Sequence, residues 1–196
     1  LNTKIPFDNL SFSLLTEDID VSLFQCRELD LTEFLVEDAL ENQAARLSVT
    51  RIVSYEEQIV GFFTLTNDCI IRKGISDNDG EEWYPYPHYP ALKIARLATH
   101  REFEGRGIGR AMLLKTVAIA MRLSQYVGCR MITVDAKPKS EGFYLCGVEG
   151  AEREDPLRKL GDGSGAPSFC FTFTPHGSSL YQRTRDYSCD NRQERF

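Results

Sequence analysis

The residues best placed to do chemistry lie in one run, from Ile94 to Arg110. Its first part, Ile94 to Thr99, is mostly apolar and reads as the end of a strand. Gly105, Gly107 and Gly109 then alternate with Arg106 and Ile108, and a long apolar-striped segment follows. A strand that passes through a glycine turn into a helix makes an anion site. The first amides of a helix have no acceptor within it, the positive end of its dipole reinforces them, and glycine lets the backbone come close to a phosphate. Arg101, Arg106 and Arg110 add positive charge around the same turn.

Several phosphate-loop patterns compete for this turn. A Walker loop needs Lys-Ser/Thr after its second glycine, but Gly109 is followed by Arg110-Ala111, so that pattern fails. A dinucleotide fingerprint needs G-x-G-x-x-G. Gly105 and Gly107 supply two glycines, but Arg110 stands at the third position and the turn lies mid-chain. A pyrophosphate turn of the acetyl-CoA type, R/Q-x-x-G-x-G/A, is met by Glu104-Gly105-Arg106-Gly107-Ile108-Gly109 except at its first residue. Glycines that serve tight packing alone are the remaining reading.

Other reactive side chains form weaker patterns. The cysteines at 26, 69, 129, 146, 170 and 189 include no C-x-x-C pair, which fits free thiols and small buried hydrophobes. His88, His100 and His176 are widely separated, so no metal site is expected.

The elements that must position the turn can be read from periodicity. Leu10 to Leu15 alternates as a strand, and Leu31 to Leu47 has the stripe of an amphipathic helix capped by Asp30. Ser48 to Ser54 and Ile59 to Ile71 form a hairpin around Glu56 and Glu57. Arg72 to Pro90 is a proline-rich loop whose Trp83, Tyr84, Tyr86 and Tyr89 either meet a substrate or pack on the core. Ala91 to Thr99 is a strand, Ile108 to Tyr126 a helix stopped at Gly128, and Arg130 to Ala136 a strand. A short helix around Glu141 to Cys146, a loop over Asp155 to Pro167 and a strand from Ser168 to Thr174 complete the order. This is an α/β domain built on one mixed sheet, spanning residues 1–175, with a polar tail over 176–196.

Composition sets outer bounds. The 196 residues are 42% hydrophobic and 27% charged, which is ordinary for a globular chain. No apolar run approaches the roughly 20 residues of a membrane span. Leu1 to Leu10 lacks the basic-then-apolar signature of a signal peptide, so a cytoplasmic location is expected. The net charge of −6 is unevenly distributed. Leu1 to Leu92 holds 6 basic and 17 acidic residues, whereas Lys93 to Lys139 holds 10 basic and 3 acidic ones. The cationic segment is centred on the glycine turn. If the acidic first half lines an acceptor cleft, it favours a cationic amine over RNA.

Three stretches in order resemble the GNAT (GCN5-related) N-acetyltransferases. Val60-Gly61-Phe62-Phe63-Thr64-Leu65 is similar to the family's third strand, and Arg96 to Leu113 to its cofactor-binding strand, turn and helix. Thr133-Val134-Asp135-Ala136 with Gly142-Phe143-Tyr144 is similar to its fifth strand and the helix after it. Phe24-Gln25-Cys26 to Leu47, Gly61 to Asp68 and Pro90 to Ala98 resemble a narrower group that includes toxins of toxin–antitoxin pairs, which acetylate aminoacyl-tRNA.

The resemblance implies a GNAT-type mixed sheet of about six to seven strands flanked by helices. It implies acetyl-CoA as co-substrate, no metal, and direct attack of a neutral primary amine on the thioester. Backbone groups of Leu97, Ala98 and Thr99 would align the pantetheine and polarise the carbonyl. The turn Glu104, Gly105, Arg106, Gly107, Ile108, Gly109 and Arg110 would hold the pyrophosphate. Tyr144 would protonate the departing thiolate. Glu28, Glu33, Asp135 and a water chain stand as alternatives for the base. Glu104 departs from the family's Gln or Arg, so its carboxylate must turn away or be offset by Arg101, Arg106 or Arg110. After Tyr144 the family's basic residue and Gly-Phe are replaced by Leu145-Cys146-Gly147. The acceptor stays open between a small-molecule or protein amine and charged tRNA, with an antitoxin protein and a second copy of the chain as further partners and no membrane. A non-catalytic CoA-binding or interaction module is the remaining alternative.

Overall fold

The computed structural model describes residues 3–71, 83–140, 142–144, 168–174 and 177–183, with the backbone alone over the last two ranges and at Pro138. Among these residues seven strands form one sheet in chain order. They are β1 (Ser11–Leu14), β2 (Val49–Tyr55), β3 (Gln58–Ile71), β4 (His88–Thr99), β5 (Met131–Asp135), β6 (Ser168–Thr174) and β7 (Gly177–Arg183). Neighbours are antiparallel except β4 and β5, which are parallel. A parallel pair needs a crossover, and α3 (Ile108–Leu123) supplies it. The mixed α/β sheet expected from the sequence is thus present.

Strand alternation sorts the core into two layers. Val53, Phe63 and Leu65 pack with Ile108, Met112 and Leu113 of α3 on one face. Ile52, Phe62 and Ala98 pack with Phe24, Phe34, Leu35 and Ala39 on the other. Gly61 permits the close approach of α3: a Cβ there would lie 3.0 Å from the Ala98 carbonyl oxygen and 3.3 Å from both Ile108 and Met112. The second face is covered by α1 (Leu29–Glu33), a π-helical turn over Phe34–Asp38, and α2 (Ala39–Ala44). The residue before α1 is Glu28, and no side chain caps the helix there. Asp30, expected as the cap, lies inside the first turn and binds Lys137 instead.

The hairpin between β2 and β3 turns on Glu56 and Glu57, both left-handed at φ 48° and 66°. That is the geometry of a two-residue type I′ turn, whose twist matches the flanking strands. β4 starts at His88, inside the segment read as a loop. Its Pro90 is tolerated because its carbonyl, which accepts the Arg130 amide, faces away from β3, so its missing N–H removes no bond to that strand. Residues 72–82 of the aromatic loop lie outside the described residues. Of the rest, Tyr84 stacks on Tyr89 at 4.5 Å while Trp83 and Tyr86 are exposed. These rings sit at the start of β4, the end opposite the glycine turn, about 30 Å away along the strand.

Helix α3 ends at Leu123, and Gly128 is not in the left-handed conformation of a glycine cap. It lies against Pro90. The short helix expected at Glu141 to Cys146 is described over 142–144 alone, where the backbone is helical. The predicted strand Ser168–Thr174 forms, and β7 pairs beside it where no element was expected.

Candidate active site

The site begins where two parallel strands part. β4 and β5 pair from Ala91–Met131 to Ile94–Val134. β5 ends one residue later, while β4 runs on to Thr99. The register between β3 and β4 shifts between Thr64 and Leu65, which leaves Ala95 as a bulge at the parting point. Beyond it, β4 is paired on its β3 side alone among the described residues.

The ladder shows which groups face the opening. His100 donates its amide to the Val60 carbonyl at 2.9 Å. Counting back along an antiparallel pair, Ala98 and Arg96 turn their amides and carbonyls toward β3, whereas Leu97 and Thr99 turn theirs outward. Of the three strand residues expected to align a ligand, two therefore offer backbone groups to the opening. Ala98, 5% exposed, contributes its side chain to the wall beneath.

The glycine turn follows directly. A 3-10 turn over Arg101–Phe103 is capped by His100, whose Nδ1 accepts the Glu102 amide. Gly105 and Gly107 have φ of 73° and 88°, which L side chains rarely adopt. Nothing lies within 4 Å of where a Gly107 Cβ would stand, so the turn is open above it. The first bond of α3 is Ala111 N–H to the Gly107 carbonyl, and no side chain caps the helix. The amides of Ile108 and Gly109 precede the helical ladder and meet the positive end of the dipole. Such a turn can cradle a phosphate-bearing ligand.

The charged residues of the turn are placed less simply than their spacing suggests. Arg106 donates from Nε to the Thr3 carbonyl, and its guanidinium lies over Phe103 and Tyr55. Its side chain anchors the N-terminal segment, and its share in the cradle is backbone. Arg101 and Arg110 are exposed. Glu104 is met by Arg27 at 2.6 Å. Arg27 is a residue the sequence reading did not single out, and it comes from the loop before α1. The same loop accepts the Arg101 amide on the Gln25 carbonyl, so it is tied to the turn at two points.

Phe143 and Tyr144 pack on the α3 side of the sheet, near the start of that helix. The Phe143 ring lies over Gly109, where a Cβ would be 2.8 Å from its edge. Tyr144 meets Phe143 edge to face at 4.9 Å and is 6% exposed. Burial pushes its phenol well above the ordinary tyrosine range. The buried phenol therefore favours its protonated form.

The opposite face of the opening carries an ion cluster. Lys137, two residues past β5, donates to Glu28 at 2.8 Å and to both Asp30 oxygens at 2.9 and 3.0 Å. Arg96 lies over the Phe34 ring at 5.1 Å and also attracts Asp30. Lys93 and Asp135 pair at 2.7 Å. Two of the three carboxylates weighed as a base, Glu28 and Asp135, thus each hold a lysine, and Glu33 is exposed on α1. Of the acidic first half, Glu28 and Asp30 are matched by cations at this opening. Cys26 and Cys129 are free thiols outside the turn, and burial raises the Cys129 thiol. Cys146 and Cys189 lie outside the described residues. No helix among the described residues is long and apolar enough to cross a membrane.

Comparison with known proteins agrees with this geometry. The family model described as "Acetyltransferase (GNAT) family" matches residues 15–148. A tRNA-acetylating toxin of Mycobacterium tuberculosis strain H37Rv is 27% identical over 128 residues, covering 64% of this chain and 75% of the relative. Among solved structures, AtaT complexed with acetyl-methionyl-tRNAfMet superposes with a TM-score of 0.70 at 22% identity, over 83% of this chain and 94% of that one. A Tyr-to-Phe mutant of KacT gives 0.69 at 19% identity, over 89% and 95%. AtaTR bound with AcCoA gives 0.63 at 22% identity, over 84% and 94%. At these identities the structural matches establish the fold.

Proposed function

The chain belongs to the GNAT acetyltransferase family, and from that premise we propose that it moves an acetyl group from acetyl-CoA to the α-amine of an aminoacyl-tRNA. The observation that carries the cofactor side is the outward-facing backbone of Leu97 and Thr99 leading into the open cradle at Gly107. An extended chain with amide groups fits such a strand edge, and a pyrophosphate fits the helix start.

Bound acetyl-CoA supplies an activated acyl group. Leu97 and Thr99 offer backbone partners along β4, and their amides polarise a carbonyl placed against them. The amides from Gly105 to Gly109 hold phosphate oxygens, with Arg110 adding charge. Arg27 offsets the Glu104 carboxylate beside the turn. Tyr144 holds its proton for the departing sulfur. Burial makes the phenol a weaker acid, so this role requires the departing thiolate to become more basic in the same apolar surroundings. No base is assigned; the acceptor amine loses its proton to solvent or a water chain.

The acceptor is argued from the ion cluster and the toxin relative together. An open acidic cleft would repel a polyanion, but here Glu28 and Asp30 are matched by Lys137 and Arg96. The relative of 27% identity acetylates tRNA, as its name states. AtaT has been solved bound to the C-terminus of the antitoxin AtaR, and a similar protein partner belongs to this reading. So do a single catalytic domain that takes in β7 as well as residues 1–175, and a cytoplasmic place of action, where charged tRNA is found.

Tyr144→Phe tests the assignment. Turnover falls about 10²-fold, the scale of a lost general acid, while acetyl-CoA affinity by isothermal titration is retained. Near-normal turnover of this variant removes Tyr144 from the reaction.

A further inference from the structure

We propose that Lys137 is a specificity-determining residue: it screens the Glu28 and Asp30 carboxylates at the acceptor opening and so admits a polyanionic acceptor while turning away polycations. The inference rests on the tRNA reading above and explains how an acidic chain accommodates it.

The placement comes from the strands. Ile94 and Val134 are the last β4–β5 pair. Arg96 is the second residue beyond it on β4, and Lys137 the third beyond it on the β5 side. Asp30 is held by Lys137 through both carboxylate oxygens and is also attracted by Arg96. Glu28 shares the Lys137 ammonium at 2.8 Å. The cluster therefore spans the parting strands on the face covered by α1.

Its charges decide what can approach. Glu28 and Asp30 are two negative charges within one ammonium's reach, which is the arrangement that would bind a cationic amine. Lys137 already occupies it. With Lys137 and Arg96 in place the four groups sum to zero. Without Lys137 the opening carries a net negative charge and a vacated ammonium-binding pair. All three members are partly exposed, at 44–61% of their side chains, so the pair stabilises the fold little and is available to an incoming ligand. Lys137 is raised and Asp30 lowered from their ordinary values, each by the other's presence, with Glu28 the larger influence on Lys137.

The test compares wild type, Lys137→Met and the triple variant Lys137→Met/Glu28→Gln/Asp30→Asn. Each is titrated with an uncharged tRNA and with spermine, and each is assayed for acetylation of charged tRNA. Lys137→Met keeps the side-chain stem and removes the charge. It weakens tRNA binding about fivefold at low salt, less at 0.2 M, and tightens spermine binding. The loss in acetylation falls on KM more than on kcat. The triple variant recovers tRNA binding and loses the gain for spermine, a rescue that a purely structural role does not give. Unchanged binding of both ligands in Lys137→Met, or no recovery in the triple variant, overturns the screen. If wild type acetylates no charged tRNA, the tRNA reading fails by itself, and the two binding arms still decide the role of Lys137.

Discussion

Gly109→Ala sets two effects of opposite sign against each other. Alanine is favoured over glycine inside a helix by about 1 kcal/mol, and less in the first turn, so helix propensity alone makes the variant slightly more stable. The acetyl-CoA turn pattern also accepts alanine at this position. Against this, the new methyl would stand 2.8 and 2.9 Å from two carbons of the Phe143 ring. Carbon contacts settle at about 3.5–4.0 Å, so the ring must retreat by about 0.7 Å or more. Overpacking of this kind costs about 1–3 kcal/mol, which exceeds the helix gain. The displaced ring touches Tyr144 at 4.9 Å, and the two are neighbours in sequence. An error near 1 Å at a reacting group costs up to about 10²-fold in rate. The variant therefore loses more than about tenfold in kcat and about 1–2 kcal/mol in unfolding free energy. Steady-state acetyl transfer and urea unfolding of the single and double variants measure this. In a Phe143→Ala background the ring is gone, and Gly109→Ala becomes neutral or stabilising. Wild-type turnover in Gly109→Ala, or equal damage in both backgrounds, refutes the argument that the Phe143 contact transmits the effect.

Two further outcomes follow from the charged groups. Arg27→Ala leaves Glu104 near the phosphate cradle with its 2.6 Å partner removed. Acetyl-CoA affinity drops about fivefold, roughly 1 kcal/mol, and adding Glu104→Gln restores it; titration calorimetry reads both, and an unchanged affinity contradicts the role given to Arg27. The Lys137 cluster is insensitive to pH over the working range. Asp30 sits below 3.8, so its contribution is present above that value and lost as pH falls through its depressed pKa. Lys137 sits above 10.5, so its contribution is present below that value and lost as pH rises through its raised pKa. The ratio of tRNA to spermine affinity, corrected for spermine ionisation, is flat between about pH 5 and 9. A break near neutrality would assign the selectivity to another group.

Much of the site was legible because its chemistry is local. The glycine turn, the helix start at Ile108 and the strand ending at Thr99 are contiguous, and a residue-by-residue pattern describes them. The bulge at Ala95 was not legible, since it depends on the register of β3 against β4 and no residue in β4 announces it. Nor were the pairs Arg27–Glu104 and Lys137–Glu28, which join residues far apart in the chain. Arg27 offered a faint signal as one of few basic residues in an acidic half. The charge arithmetic was correct as a count, but it carries no sign that Lys137 meets Glu28 and Asp30 of the acidic segment. β7 carries no strand signature because Gly177–Arg183 is polar. It pairs through its backbone with β6, and that pairing needs no apolar alternation.

The central claim is tested most directly by incubating the purified chain with [14C]acetyl-CoA and tRNA charged with a single amino acid, then measuring label on the aminoacyl moiety. The account predicts label on the α-amine of the charged tRNA, none on uncharged tRNA, and a loss of about 10²-fold with Tyr144→Phe. Transfer to a polyamine or a protein lysine with none to charged tRNA would contradict it.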